Sequence, residues 1–291
     1  MSGAGAAMAP LPEMLGRLKL TAMRDRLDGL LDEAARRDLT LPEALALLCE
    51  AEVAHREERR IQMGLGIAKF PYVRTLEAFD FAAQPSLDPK QVHELAACRW
   101  VANGDTLLIQ GPPGVGKSHL AVALGREAVR RGHSVLFTPA MALITALAKG
   151  QAEGRLEERL ARYAKPKLLI VDEFGYLPLE AHAAHLFFAL VGRRYERGSI
   201  LVTSNRSVSE WGTVLNDAVV ATAILDRLLH HSHVLTIKGD SYRLREKRRS
   251  GLLKLSTAPA SPAPHRFRPG RRRDGGGRVL GVARGRVPDV V

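Results

Sequence analysis

The chain has 291 residues, 46% hydrophobic and 25% charged; that is enough for one large α/β domain with a smaller appendage, and it excludes a wholly disordered polypeptide. Two cysteines, Cys49 and Cys98, without metal-ligand spacing exclude a disulfide framework and fit a reducing compartment. A formal charge of +12, from 43 basic and 31 acidic residues, favours a polyanionic partner, because clustered Lys and Arg gain affinity by releasing counterions from phosphates.

The opening MSGAGAAMAP lacks the charged start and apolar stretch of a signal peptide. No apolar run is long enough to span a bilayer, so a soluble, cytoplasmic protein without a membrane partner is expected. Residues 11 to 37 then carry Leu15, Leu18, Met23, Leu27, Leu30 and Leu31 at helical spacing, interleaved with Arg17, Arg24, Arg26 and Asp28, which predicts one amphipathic helix. Thr40-Leu-Pro-Glu43 reads as a capping box with proline in the first turn, opening a second helix to about Ile61. Near its end Arg56, Arg59 and Arg60 lie within about one turn. They read either as phosphate contacts to DNA or as a solvated face shared with Glu57 and Glu58. A linker is expected from Gly64, and Lys69-Phe70-Pro71 must end any helix because a residue before proline disfavours α geometry.

Leu76, Phe79 and Phe81 follow as apolar staples, and Asp88-Pro89 predicts a capped helix to about Trp100. The period then changes. Short β-rich runs at 106–110, 134–138, 167–172, 200–204 and 234–237 alternate with helical stretches, which implies a parallel sheet with helices on both faces. Ser207-x-x-Glu210 caps another helix, and 218–230 is a further one. The expected organisation is a helical N-terminal domain at 1–68, an α/β domain at 69–251, and a Pro, Gly and Arg-rich tail at 252–291 without periodicity. Eight arginines against Asp274 and Asp289 after Ser256 give that tail half of the net charge.

The strongest chemical signal is Gly111-Pro112-Pro113-Gly114-Val115-Gly116-Lys117-Ser118, a phosphate loop between a β-run ending at Gln110 and a helix starting at Lys117. Glycines there let backbone N–H groups face the phosphates, and the helix N-terminus adds partial positive charge. Lys117 is expected on the β- and γ-phosphates, Ser118 on Mg²⁺, with His119 completing the nucleotide-binding run. Leu168-Leu-Ile-Val-Asp172-Glu173 supplies an aspartate for the metal at the end of a buried strand. The adjacent Glu173 either activates water for attack on the γ-phosphate or caps a turn; the first points to ATP hydrolysis.

Asn205, after Thr203-Ser204, is a sensor for the attacking water or a turn residue before a helix. Arg227, within Leu225-Asp-Arg-Leu-Leu229, suits an arginine finger reaching a neighbouring subunit's γ-phosphate, or a salt bridge to Asp226. His230, His231 and His233 lack an accompanying carboxylate or cysteine pattern and are read as structural.

These motifs, with Asp172-Glu-Phe-Gly-Tyr-Leu-Pro178, Arg194-Tyr-Glu196, Glu210-Trp211, Ile224-Leu-Asp-Arg-Leu-Leu-His-His231 and Ser241-Tyr-Arg-Leu-Arg245, resemble the IstB family of transposition helper ATPases over roughly residues 11 to 250. The resemblance implies an AAA+ P-loop three-layer sandwich with a parallel five-stranded sheet, a small helical N-terminal domain, ATP and Mg²⁺ as ligands, and homo-oligomers on duplex DNA. It further implies recruitment of an integrase-type transposase encoded nearby. It carries Lys117, Ser118, Asp172 and Glu173 over as ATPase residues, Asn205 as the first sensor, Arg227 as the finger in trans, and Arg243 as a further nucleotide sensor. A DnaC-type helicase loader shares the same core and is the alternative. A small-molecule P-loop kinase has less use for adjacent Asp172-Glu173. A nucleotide-gated binder with negligible turnover differs only in lacking hydrolysis. The chain departs from the family after about Gly251, where members usually stop.

Overall fold

A computed structural model of the chain describes residues 10–176, 180–242, 244 and 245. The C-terminal tail and Arg243 lie outside the described residues. Among them, no helix is long and apolar enough to cross a membrane.

Five parallel strands form one sheet: β1 (Thr106–Gln110), β2 (Val135–Pro139), β3 (Leu168–Phe174), β4 (Ser199–Ser204) and β5 (Ser232–Thr236), in spatial order β2-β3-β4-β1-β5. Strands buried on both faces read as continuous apolar runs, as the inner strands β1, β3 and β4 do, while the edge strand β5 is largely exposed. Leu107, Ile109, Leu168, Ile170 and Leu201 point to one core, while Leu108, Leu169, Val171, Ile200 and Val202 point to the other. The first core is closed by α5 (Pro89–Ala96), α6 (Arg99–Asn103) and α7 (Lys117–Arg130), with Phe79 and Leu76 from the preceding loop. The second is closed by α8 (Ala140–Ala152), α9 (Leu156–Ala164), α10 (Ala181–Arg194), α11 (Trp211–Leu215) and α12 (Ala218–His230). The expected three-layer, five-stranded parallel architecture is therefore present. Trp211, Phe174 and Phe187 anchor the second core, with centroids 4.5 and 4.8 Å from Phe174.

The N-terminal segment differs from a single helix over 11–37. It folds as α1 (Leu11–Arg17), α2 (Thr21–Asp25) and α3 (Leu27–Arg36). The break is tertiary in origin. Lys19 takes a left-handed φ of 57°, and the buried carboxylate of Glu52, on α4 (Leu41–Ala68), accepts the backbone N–H groups of Ala22 (2.8 Å) and Met23 (3.3 Å) at the start of α2. A carboxylate at a helix N-terminus satisfies donors that would otherwise be orphaned. Leu15, Met23 and Leu27 bury against Leu48, while Leu18 and Leu31 remain exposed.

Helix α4 opens with the expected capping box, the Glu43 carboxylate accepting the Thr40 N–H at 2.8 Å. It then runs unbroken to Ala68, so the chain does not loosen at Gly64. That glycine is a contact point: a Cβ there would come 2.7 Å from Val129 on α7. Lys69, left-handed at φ 58°, ends the helix ahead of Phe70-Pro71 as expected. The helix expected from Asp88 to Trp100 is also divided, because Cys98 turns left-handed (φ 56°) between α5 and α6. Its thiol is buried and pushed up to about 11 by desolvation.

Candidate active site

In an open parallel sheet the crevice beyond the carboxyl ends of the strands, where the strand order reverses, is where ligands collect. Here β4 lies between β1 and β3. Register pairs Gln110 and Phe174 with the same residue, Ser204. The loop after β1, the acidic pair of β3 and the polar end of β4 thus converge within two strand spacings, about 10 Å.

The phosphate loop is tied down on both sides. The Gly111 N–H donates to the Ser204 carbonyl at 3.1 Å, and the Tyr242 N–H donates to the Gly114 carbonyl at 3.0 Å. Gly116 sits at φ 101°, and a Cβ there would meet the Phe79 ring at 2.8 Å, so the turn into α7 needs glycine for both conformation and space. Lys117 Nζ bridges the carbonyls of Gly111 and Pro112, each at 2.7 Å. His119 is half-buried. Its Nε2 lies 2.9 Å from the Thr75 carbonyl and its ring stands edge-on to Phe79. Burial, with Arg74 nearby, holds it below the usual histidine range against the opposing pull of the Thr75 carbonyl.

Asp172, 6% exposed, is the hub. Its Oδ1 accepts the Ser118 hydroxyl at 2.9 Å and the Thr203 hydroxyl at 2.5 Å. Thr203, wholly buried, in turn accepts the Glu173 N–H at 2.9 Å. Between Val171 and Phe174 strand β3 carries one residue more than β4 opposite it, a β-bulge, and Glu173 adopts a left-handed φ of 60°. Such a conformation costs a non-glycine residue about 1–3 kcal/mol and is held by its surroundings. Its effect is to carry Glu173 off the buried run of the strand into the open cleft while Asp172 stays inside.

Pro113 to His119, Glu173, Thr203 and Asn205 all line one cavity of about 790 Å³. Asn205 Oδ1 is buried without a hydrogen-bond partner there, as expected of an amide that completes its bonding through water or a ligand. The pair Ser118 Oγ and Asp172 Oδ1 offers two oxygen donors to a hard cation, and the orphaned Asn205 amide faces the same space, so the residues fit a metal-bound triphosphate.

Arg227 is elsewhere. It lines a small hollow with Asp105, Thr106, Gly198 and Ile200, at the end of the sheet where β1 and β4 begin, opposite the phosphate loop. Its guanidinium lies 4.7 Å from the Phe188 ring and donates to the Ala223 carbonyl at 2.9 Å. Among the described residues it has no carboxylate within ion-pair distance, Asp226 included. Of the basic cluster on α4, Arg56 pairs with Glu52 and donates to the Lys19 carbonyl, and Arg60 donates to the carbonyls of Val129 and Arg130 at the end of α7 and to Glu57. Arg59 is exposed.

Sequence reasoning missed three things. Thr203 gives no signal apart from being polar at the end of an apolar strand. The second wall of the cavity, with Tyr72, Phe79, Asp80 and Gln84, comes from an irregular loop without a motif. A carboxylate does accompany the histidines: Glu196, Tyr195's neighbour, brings its oxygen within 4.8 Å of ring nitrogens of His230 and His231, all three exposed, whereas His233 faces Asp105.

Residues 13–250 match the family described as IstB-like ATP binding protein. An ATP-binding protein of insertion sequence IS21 from Pseudomonas aeruginosa is 47% identical over 254 residues, spanning 87% of this chain and 96% of its own. One of insertion sequence IS5376 from Geobacillus stearothermophilus is 43% identical over 236 residues, spanning 81% and 94%. Among solved structures, the replication initiator DnaA bound to AMPPCP and single-stranded DNA superposes with a TM-score of 0.50 at 24% identity, over 65% of this chain and 58% of that one. That is a likeness of fold, the AAA+ P-loop sandwich.

Proposed function

Because the chain belongs to the IstB-like ATP-binding proteins, we propose that it is a transposition helper: an ATPase that assembles on duplex DNA, hydrolyses ATP with Mg²⁺, and recruits and stimulates the integrase-type transposase of the same insertion sequence in the cytoplasm. The observation that carries the hydrolytic part is the relay Ser118–Asp172–Thr203–Glu173, with Glu173 turned by the bulge into the same cleft as the phosphate loop. Mg²⁺ when bound neutralises charge on the β- and γ-phosphates and polarises the γ-phosphorus. Ser118 and Asp172 would hold it, and Lys117 would exchange the carbonyls of Gly111 and Pro112 for the phosphate oxygens. Glu173 takes the proton of the attacking water, and Asn205 Oδ1 accepts a hydrogen bond from that water. Thr203 acts through the two carboxylate residues as a positioning residue.

The finger assignment is supported by distance across the sheet. Arg227 stands at the beginning of strands whose far ends carry its own chain's phosphate loop, so it serves a neighbouring subunit's nucleotide or none. Among the described residues no carboxylate lies within ion-pair distance of it, which leaves the charge available to an incoming phosphate. The DNA and transposase steps are supported by the relatives' origin in insertion sequences and by the net charge of +12. Arg59 is the member of the basic cluster best suited to phosphate contact, since Arg56 and Arg60 already hold the N-terminal helices together and against α7.

The test is a magnesium-dependent ATPase assay with and without duplex DNA. Glu173→Gln should retain ATP binding and lose on the order of 100-fold or more in turnover, within the 10²–10⁴-fold typical of general-base catalysis. Arg227→Ala should also be inactive alone, and mixing the two variants should restore activity at sites that combine Glu173 of one chain with Arg227 of the other. Absence of magnesium-dependent adenine-nucleotide binding by the wild type removes the proposal, and absence of rescue removes the finger.

A further inference from the structure

Gln84 is 2% exposed, yet neither Nε2 nor Oε1 has a hydrogen-bond partner. Buried amides are almost always paired, and one that is not calls for an explanation such as a ligand. Gln84 lines the cavity that holds Lys117 and Ser118, on the wall made by Tyr72, Phe79 and Asp80. That wall joins an aromatic surface to polar groups, the Gln84 amide and Asp80 among them, a composition that suits a flat heteroaromatic ring with hydrogen-bonding edges. The phosphate loop and Glu173 line the same cavity.

The loop is rigidly placed. Its backbone is used in turns, Gln84 N–H to the Phe81 carbonyl and Leu87 N–H to the Gln84 carbonyl, each at 3.0 Å. Ser86 Oγ is bonded to both the N–H and the carbonyl of Lys238, and Arg245 donates to the Ala83 carbonyl at 2.7 Å. Among the buried side-chain atoms of this loop, those of the Gln84 amide alone are without a hydrogen-bond partner, one acceptor beside one donor group. Adenine presents the complementary pair on adjacent atoms, the exocyclic amino group as donor and a ring nitrogen as acceptor.

We propose that the Gln84 side-chain amide recognises the base of the bound nucleotide, accepting from the adenine amino group and donating to the neighbouring ring nitrogen, and so makes the cleft select an adenine nucleotide. This rests on the nucleotide reading of the cleft and adds to it the residue that reads the base. No catalytic step passes through Gln84.

The experiment crosses one change in the protein with one in the ligand. Magnesium-dependent affinities of ATP and of purine riboside triphosphate, which lacks the amino group, are measured by calorimetry for the wild type and for Gln84→Met. The wild type should favour ATP by on the order of 10-fold, as one to two hydrogen bonds would give. Gln84→Met should bind both ligands equally, and no more tightly than the wild type binds purine riboside triphosphate, to whose ring nitrogen Gln84 can still donate. Without nucleotide, Gln84→Met should melt no lower than the wild type, because it removes an unpartnered buried amide. Equal preference for ATP in the wild type and Gln84→Met overturns the proposal, as does a marked loss of melting temperature in the nucleotide-free Met variant. Failure of the wild type to bind either triphosphate instead removes the nucleotide site itself, and the inference with it.

Discussion

Thr203→Val replaces a hydroxyl by a methyl of the same shape at a position with no solvent exposure. Both residues are β-branched and favour strands, so β4 itself should be unaffected and the loss can be assigned to the hydroxyl. The Thr203 hydroxyl donates to Asp172 at 2.5 Å and accepts from the Glu173 N–H at 2.9 Å. A hydrogen bond to a charged group contributes about 1.5–3 kcal/mol, and an orphaned buried N–H costs about 1–3 kcal/mol. The two do not add fully, because Asp172 keeps the Ser118 hydroxyl at 2.9 Å. The expected destabilisation is about 3 kcal/mol, a drop in Tm of about 6–12 °C at roughly 2–4 °C per kcal/mol for a domain of this size. Urea unfolding followed by the fluorescence of Trp100 and Trp211, both buried, reads this directly. Turnover should fall by on the order of 10-fold or more, since about 1.4 kcal/mol in the barrier suffices, while Thr203→Ser should keep most of both properties. If Thr203→Val unfolds within about 0.5 kcal/mol of wild type, the range of an inconsequential substitution, and hydrolyses ATP normally, the hydroxyl does not organise the acidic pair.

Arg194 is 1% exposed and donates to the carbonyls of Tyr163, Ala164, Pro166, Lys167 and Ser199, fixing the loop before β3 to the start of β4. Burial pulls its pKa down only to about 10, so it stays charged, and Arg194→Met should cost about 3 kcal/mol or more by orphaning several buried carbonyls, measured by urea unfolding. Arg194→Lys should recover only part, because an ammonium lacks the fork that reaches them together. Stability should also depend on pH through His119. Burial depresses its folded pKa, so below about pH 6.5, where an unfolded histidine titrates, the unfolded chain binds more protons than the folded one. The stabilisation is complete above that pH and is lost as the pH falls further, and His133 acts in the same direction. Melting curves between pH 5.5 and 7.5 should show the decline, and His119→Gln should flatten it; an unchanged slope would refute the assignment.

The chain order of strands and helices, both capping boxes and the strand-to-helix setting of Gly111–Ser118 were legible in the sequence because each rests on local physics: the period of burial, the chemistry of a cap, the freedom of glycine. Asp172 could be recognised for the same reason, as a carboxylate ending a buried strand. Contacts between distant segments decided the rest. Glu52 breaks the N-terminal helix from 30 residues away, and the contact between Gly64 and Val129 keeps α4 straight where a linker was expected. The bulge that separates Glu173 from Asp172 exists only in register with β4. Gln84 is an unremarkable polar residue in a turn until the fold buries its amide beside the phosphate loop. Local propensities set which segments become strands and helices, but a side chain's partners depend on which segments the packed sheet brings together.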